Sequence, residues 1–507
     1  MPNIKKHIVL YNPQQEEGKT KIDISLALLS IAAIPYEEGY KIHYVNNSDS
    51  NALEKAIDYS RGSLCVAFSV MTGYQIKDAL KVSRAIKNKY PEVKIVWGGW
   101  HPSILPEQTI QNELIDLIAV GQGQRTFAEL VRALDKNQPL EKVKGILYKQ
   151  DGKIKKTEPR TFEDINNFPP LPYGLIDGKG FIRNVDEVAT RIIDYFTSQG
   201  CPHRCRFCAD PLVYKHRTTM LKPERIITDI EHLINDYGIN GVICTDTNFF
   251  IDEKRVREIC KSLIENGIKI SWGSMNGRTE HLLRLSDDTW KLLKECNFSS
   301  FLVGAESGSD ESLRFIQKDA TVKDTLELAK KCKQYGFKAY YSFMLGLPPN
   351  PDLMEPYSLQ IKKDWKALIK ITKDILSISK DNMFYFLIYT PYPGTPFYEL
   401  CKKNGLKEPG SLEQWGDFTL DKVKTPWMPR EYVSLLEQMN MLFIPFLTGS
   451  IYVKLGKYGL LGKAVKIAFL PLHGLVMLRW KFEFFSLPVE YKLMKLARKI
   501  ARKISSI

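Results

Sequence analysis

Thr197-Ser198-Gln199-Gly200-Cys201-Pro202-His203-Arg204-Cys205-Arg206-Phe207-Cys208-Ala209-Asp210 is the stretch whose reading decides the fold. Its cysteines are spaced C-x3-C-x2-C, and Gly200 and Pro202 mark a loop rather than a core helix. Three thiolates in so tight a loop can hold three irons of a cubane iron–sulfur cluster and leave the fourth without a protein ligand. An open iron suits a cluster that binds and reduces a small molecule. An electron relay or a closed zinc site wants a fourth ligand close by, and within the loop only His203 could complete a zinc site. The remaining cysteines, Cys65, Cys244, Cys260, Cys296, Cys332 and Cys401, are scattered singly and make no second motif.

Working outward, Ile192–Phe196 reads as the strand that feeds this loop. Further strands are expected at Val242–Cys244, Lys269–Trp272, Ser300–Val303, Ala339–Phe343 and Phe384–Ile388, which gives six β/α units. The helices between them follow the 3.6 period. Ile226, Ile227, Ile230, Leu233 and Ile234 share one face of Pro223–Asn235, and Val256, Ile259, Cys260, Leu263 and Ile264 share one face of Glu253–Ile264. A parallel barrel carries its chemistry on the loops after its strands, and the cysteine loop follows the first of them.

Upstream, residues 1–140 alternate strands (His7–Tyr11, Lys41–Val45, Leu64–Phe68, Lys94–Trp97, Leu117–Val120) with amphipathic helices such as Gln75–Lys89. That pattern implies a doubly wound, Rossmann-like parallel α/β sheet, which binds ligands at the carboxyl ends of its strands. Those ends are Ser69-Val70-Met71-Thr72-Gly73, Gly98-Gly99-Trp100-His101-Pro102 and Gly121-Gln122-Gly123. The glycines would let backbone approach a large ligand with no Cβ in the way. Residues 141–190, with an Asp151-Gly152 hairpin turn and three prolines in Phe168–Tyr173, read as a linker.

The cysteine motif resembles the signature of radical S-adenosylmethionine (SAM) enzymes, and the first 140 residues resemble the cobalamin-binding domain that precedes the catalytic domain in one large subgroup. The resemblance covers about residues 1 to 430. It implies a [4Fe–4S] cluster on Cys201, Cys205 and Cys208, SAM chelated to the open iron, and a partial (β/α)6 barrel over residues 191–430. It places Phe207 near the adenine. Asp246 stands where the family has a Gly-Gly-Glu-like contact to the SAM amino group, although Thr245-Asp246-Thr247-Asn248-Phe249 lacks that literal motif. Asn276 and Arg278 are candidates for ribose or carboxylate contact, and Glu306 with Ser307, in Gly304–Gly308, for ribose contact. In the N-terminal domain Ser69, Thr72, Gly98, Gly99 and Gly121 are the candidates for holding cobalamin. The Asp-x-His-x-x-Gly motif that supplies a cobalt-ligating histidine is absent, since the first strand runs into Asn12-Pro13-Gln14-Gln15-Glu16-Glu17-Gly18. His101, near the glycine pair, reads as a turn residue and not a cobalt ligand.

The chain has 507 residues, too long for one ordinary domain, and a net charge of +14. Nine cysteines unpaired by spacing argue for a reducing compartment, hence a cytoplasmic protein. No run of 18 apolar residues suggests a membrane span. From residue 451 onward, 12 Lys plus Arg face 2 acidic residues, so 12 − 2 = +10 of the net charge is local. This helical C-terminal region, 431–507, combines the apolar runs Met439–Phe446 and Ile467–Leu478 with Arg479-Trp480-Lys481, Phe482, Phe484, Phe485 and the basic end Lys492–Lys503. Such a segment suits the anionic inner face of a membrane, or a helix closing the barrel. Nucleic acid fits less well, because the N-terminal domain lacks the three-cysteine site of the tRNA methylthiotransferases.

The expected activity is that of a cobalamin-dependent radical SAM enzyme: C-methylation of an unactivated carbon in a hydrophobic small molecule or lipid, driven by an external one-electron donor such as a flavodoxin or ferredoxin. A cyclisation like that of the anaerobic magnesium-protoporphyrin ester cyclase is the alternative enzyme reading. A corrinoid- or cluster-based membrane sensor is the non-catalytic one.

Overall fold

Ile8, Val9 and Leu10 are all fully buried, as in a strand covered by helices on both faces. They belong to β1 (His7–Asn12), which pairs in parallel with β2 (Lys41–Asn46) and β3 (Cys65–Ser69). With β4 (Lys94–Gly98), β5 (Leu117–Ala119), β6 (Ile146–Gln150) and β7 (Lys153–Lys156) the sheet order is β2-β1-β3-β4-β5-β6-β7. The first five strands are the expected ones. The order reverses between β1 and β3, and such a switch point opens a crevice at the carboxyl edge. Ser69 is the register partner of Gly98, which puts two expected site positions at one height on that edge. The computed structural model describes residues 6–16, 24–176, 179–186, 188–419, 425–452, 466, 470–486, 488–492 and 494–495.

Part of the segment read as a linker is sheet. β6 pairs antiparallel with β5 (Ile118 opposite Leu147), and the β6–β7 turn uses Asp151 and Gly152 with φ of 51° and 71°. Ile146, Leu147 and Tyr148 are buried, so the hairpin adds apolar surface to the N-terminal core. Each such side chain contributes about 1.5–3 kcal/mol on full burial.

The chain divides into two compact units. One comprises Met1–Met275, Glu295–Phe298 and Thr390–Lys424, the other Asn276–Lys294, Ser299–Tyr389 and Thr425–Ile507. In the first unit β8 (Arg183–Val185) and β9 (Ala189–Tyr195) precede the cysteine loop. The two-residue strands β10 (Ser198–Gln199) and β11 (Thr219–Met220) pair antiparallel and close that loop at its base. β12 (Gly241–Cys244) and β13 (Ser271–Gly273) continue a sheet of order β13-β12-β9-β8, with β9, β12 and β13 parallel. In the helix Glu253–Glu265, Val256, Ile259, Cys260 and Leu263 are buried as expected, but Ile264 is 40% exposed in the last turn.

Apart from Met275, which ends the first unit, the second unit holds β14 (Met275–Gly277), β15 (Ser300–Glu306), β16 (Lys338–Leu345) and β17 (Met383–Ile388) in that sheet order. All six strands expected of the barrel are thus present, three in each unit. A bulge between Gly304 and Glu306 interrupts the β15–β16 register. The C-terminal region is helical: Arg430–Gln438 runs on through Met439–Phe443 into Ile444–Leu447, and Leu470–Lys481 packs against it. Phe485 lies 5.2 Å from Phe443 and 5.6 Å from Trp365, ring centre to ring centre. Most of the basic end, 492–503, lies outside the described residues.

Candidate functional site

The cysteine loop is pinned at several points, all within the first unit. At its entry, Thr197 and Ser198 each donate a backbone N–H and a hydroxyl to Asp246, over 2.5–3.1 Å. The buried Arg255 ties Thr197 O and Leu221 O, both at 3.0 Å, so entry and exit strands share one guanidinium. Gly200 has φ +81°, and a Cβ there would stand 2.2 Å from Arg217 O, so no other residue fits. Midway round the loop, Arg206 O accepts from Phe397 N (3.2 Å) while its guanidinium lies 4.8 Å from the Phe397 ring centre.

Cys201 and Cys205 are buried, Cys208 is half-buried, and none of the three is in a disulfide. Burial pushes the Cys208 thiol up to about 12, with Asp210, Cys205 and Cys201 adding to the shift against a hydrogen bond from the Asp210 backbone. Three thiolates that repel one another in a buried loop need a cation among them. An iron–sulfur cluster supplies it, so the donor set fits one.

A second cradle lies in the same unit, at the carboxyl edge of the seven-stranded sheet. A cavity of about 280 Å³ is lined by Ser69, Gly98, Gly99 and Gly121, and it continues between sheet and helix to Ala67, Val96 and Phe127. Gly99 has φ +97°, and a Cβ on it would meet Val70 N at 2.7 Å and Val70 O at 2.8 Å. The loops are stitched together: Val70 N donates to Gly98 O (2.8 Å) and His101 N to Val70 O (3.1 Å). Ser103 Oγ donates to Gly99 O (2.6 Å) and accepts from Gly121 N (2.9 Å), joining two glycine turns. Gln199, Val213 and Tyr214, from the chain around the cysteine loop, also line it. Glycine at this rim leaves backbone open to a ligand with no Cβ in the way, as a bulky cofactor requires.

Thr72 does not line this cavity. Its hydroxyl is 3.0 Å from His101 Nδ1, and the His101 ring packs edge-on against Trp415 at 5.5 Å. His101 is fully buried and sits in the short helix Trp100–Ile104, away from the lining.

The residues expected around SAM fall in both units. In the first, Phe207 is half-buried, and Asp246 is 1% exposed with both carboxylate oxygens engaged by Thr197 and Ser198. In the second, Asn276 is half-buried, while the buried Arg278 ion-pairs with Glu280 and, at 3.1 Å, with Asp319. Glu306 has φ +64°, a strained value for a glutamate, and lies 3.4 Å from the buried Lys318. Ser307 Oγ accepts from Ser309 N at 3.1 Å.

The sequence profile of the Radical SAM superfamily matches residues 195–355, and that of the B12 binding domain matches residues 24–131. An uncharacterized methyltransferase of Pyrococcus horikoshii is 30% identical over 65% of this chain and 67% of its own length. The chain belongs to the radical SAM superfamily, in the group that carries a B12-binding domain. This radical SAM enzyme is also 24% identical to the anaerobic magnesium-protoporphyrin IX monomethyl ester cyclase of Cereibacter sphaeroides, over 64% of this chain and about half (51%) of the cyclase. Among solved structures, the cobalamin-dependent SAM radical enzyme OxsB with aqua-cobalamin bound shares the fold. The TM-score is 0.69 at 17% identity, over 99% of this chain and 76% of that one. The superfamily supplies the [4Fe–4S] cluster and SAM, and the N-terminal domain supplies cobalamin.

Arg255, Ser103, Gln199 and Tyr214 escaped the sequence reading. The period of Arg255's helix picks out Val256, Ile259, Cys260 and Leu263 and carries no signal for Arg255 itself. For Ser103, its place four residues after Gly99, where a serine hydroxyl reaches the i−4 carbonyl, was the available signal.

Proposed function

We propose that this radical SAM enzyme methylates an unactivated carbon of a hydrophobic small molecule. Cys201, Cys205 and Cys208 hold its cluster, and Ser69, Gly98, Gly99 and Gly121 cradle its cobalamin. The observation that carries the reading is the glycine-rimmed cavity in the same compact unit as the cysteine loop, with Gln199, Val213 and Tyr214 shared between them. The methyltransferase name of the Pyrococcus relative supports methyl transfer. When bound, the cluster and SAM supply hydrogen-atom abstraction, and cobalamin supplies the methyl group.

The protein's own part is positional. Asp246 and Arg255 fix the base of the cysteine loop, and the Asp210 backbone N–H supports the Cys208 sulfur. Ser103 ties the Gly99 and Gly121 turns together at the rim of the cavity. Phe207, Asn276, Glu306 and Ser307 are proposed to bind SAM. Asp246 and Arg278, already engaged by Thr197, Ser198, Glu280 and Asp319, act as positioning residues.

The test uses anaerobically reconstituted enzyme, a reductant, SAM labelled in its methyl group and a lipid extract of a strain lacking the gene. Label should appear in an organic-soluble product together with 5′-deoxyadenosine. Formation of 5′-deoxyadenosine with an oxidised or ring-closed product and no label would assign the enzyme to the cyclase reading instead. Failure to cleave SAM at all would favour the sensor.

A further inference from the structure

The helix Leu470–Lys481 is patterned in reverse. Its inward face carries Val476 and Trp480, but also Arg479, which is 8% exposed and ion-pairs with the buried Glu490 at 2.9 Å. Its outward face carries Leu470, Leu475 and Leu478, exposed by 58%, 46% and 56%. Phe482, just beyond, is 71% exposed, and Val489 is 62%. At 3.6 residues per turn, Leu470, Pro471, Gly474, Leu475, Leu478, Lys481 and Phe482 fall within an arc of about 140°. Lys481, at its end, is the sole charge on that arc. A water-facing helix has the opposite arrangement, with its charges outward and its leucines inward. With its inner side already packed through Trp480 on Phe443 and Phe485, the helix turns an apolar outer arc toward a second apolar medium.

The charge of the segment, read from its sequence, identifies that medium. Both acids of the segment are engaged, Glu490 by Arg479 and Glu483 by Lys373 at 2.7 Å; Lys466, Lys481 and Lys492 are exposed, as is Lys495, which pairs with Glu437 at 3.1 Å. The last 57 residues carry 12 − 2 = +10. A second copy of the chain would bring like charge against like charge. Nucleic acid would match the charge but offers no bed for leucines. An anionic bilayer offers both. At 12 residues the helix is too short to cross, since a span takes about 20, and no described helix is long and apolar enough to do so.

We infer that the outward face of Leu470–Lys481, continued by Phe482 and Val489, seats this enzyme on the surface of an anionic membrane. Leu475, Leu478 and Phe482 enter the acyl boundary, and the lysines meet the headgroups. The face is complete in the second unit alone and does not depend on the methylation reading.

The experiment is flotation of the full-length, cofactor-loaded enzyme with phosphatidylcholine vesicles, with and without phosphatidylglycerol, at low and high salt. The wild type should float with the anionic vesicles at low salt only. The variant L475E/L478E/F482E should lose flotation at least tenfold while keeping its iron content and melting temperature, because all three side chains are exposed. K481Q/K492Q should weaken partition by about fivefold per lysine. Absence of flotation in every condition would overturn the inference, as would equal flotation of the leucine variant. A dimer that the leucine variant splits into monomers, with no vesicle binding, would assign the face to a second copy and also overturn it.

Discussion

The carboxylate of Asp246 accepts from both the backbone N–H of Thr197, at 2.5 Å, and its hydroxyl, at 2.6 Å, four residues before Cys201. Ser198 repeats the arrangement at 3.1 and 2.7 Å. One buried side chain at the end of β12 therefore sets the course of the chain out of β9 and into the cysteine loop. Asp246→Ala would leave the backbone N–H groups of Thr197 and Ser198 without an acceptor, whereas an asparagine could keep both and donate to the two hydroxyls. Hydrogen bonds to a charged group contribute about 1.5–3 kcal/mol each, so losing two should cost about 3 kcal/mol or more. Iron per reconstituted chain should fall below half the wild-type value. A variant that keeps its iron but binds SAM more weakly would instead make Asp246 a direct SAM contact.

Replacing Cys201, Cys205 and Cys208 together with alanine should abolish the cluster. Wild-type protein, reconstituted anaerobically, should hold about four irons per chain. The remaining six cysteines are buried singly or, as with Cys260 and Cys296, in a hydrogen-bonded core contact, and offer no second loop of this kind. Iron analysis near eight per chain would refute a single cluster.

The parts legible in the sequence were those where one residue type dictates geometry. Continuous apolar strands announced a buried parallel sheet, and each expected strand appears within a few residues of its place. The C-x3-C-x2-C spacing with Gly200 marked a loop, and Gly98-Gly99 and Gly121 marked turns at strand ends, and the structure has both. What stayed hidden depends on partners distant in sequence. Tyr148 gives no sign that it will pair with Leu117, so the hairpin looked like a linker. Thr72 sits beside Ser69 yet turns to His101, and Arg278 looks free until Glu280 and Asp319 close on it. Charge and hydroxyl positions report a residue's chemistry but not which neighbour has already claimed it.

Gly99→Ala tests the second cradle. The backbone there, at φ +97° and ψ −167°, lies in a region almost restricted to glycine and costs any other residue about 1–3 kcal/mol. The new methyl would also press on Val70 N and O at 2.7 and 2.8 Å. Relief requires the Ser69–Met71 loop to move away from Gly98, which widens the cavity rim. Cobalamin retained through gel filtration should drop at least tenfold, read from its visible absorbance, while iron stays near the wild-type value. Full retention of cobalamin would mean that the corrinoid lies elsewhere.

His101 gives the last prediction, in which stability and cobalt ligation are read together. Burial lowers its imidazole from 6.5 to about 4, and the ring is held between the Thr72 hydroxyl and Trp415. The unfolded chain takes up a proton near pH 6.5 while the folded one refuses it until about pH 4. Stability is therefore fully present above pH 6.5 and is lost as the pH falls toward 4. Between pH 7 and pH 5 this amounts to about 2 kcal/mol. Urea unfolding of the cobalamin-free protein should show that loss in the wild type, and His101→Gln should be less stable at pH 7 but flatter in pH by the same amount. Because the ring does not reach the cavity lining, the Co(II) electron paramagnetic resonance signal of cobalamin-loaded enzyme should show no histidine nitrogen splitting in either protein. A splitting that disappears in His101→Gln would place His101 on cobalt, and an unchanged pH slope would remove it as the titrating group.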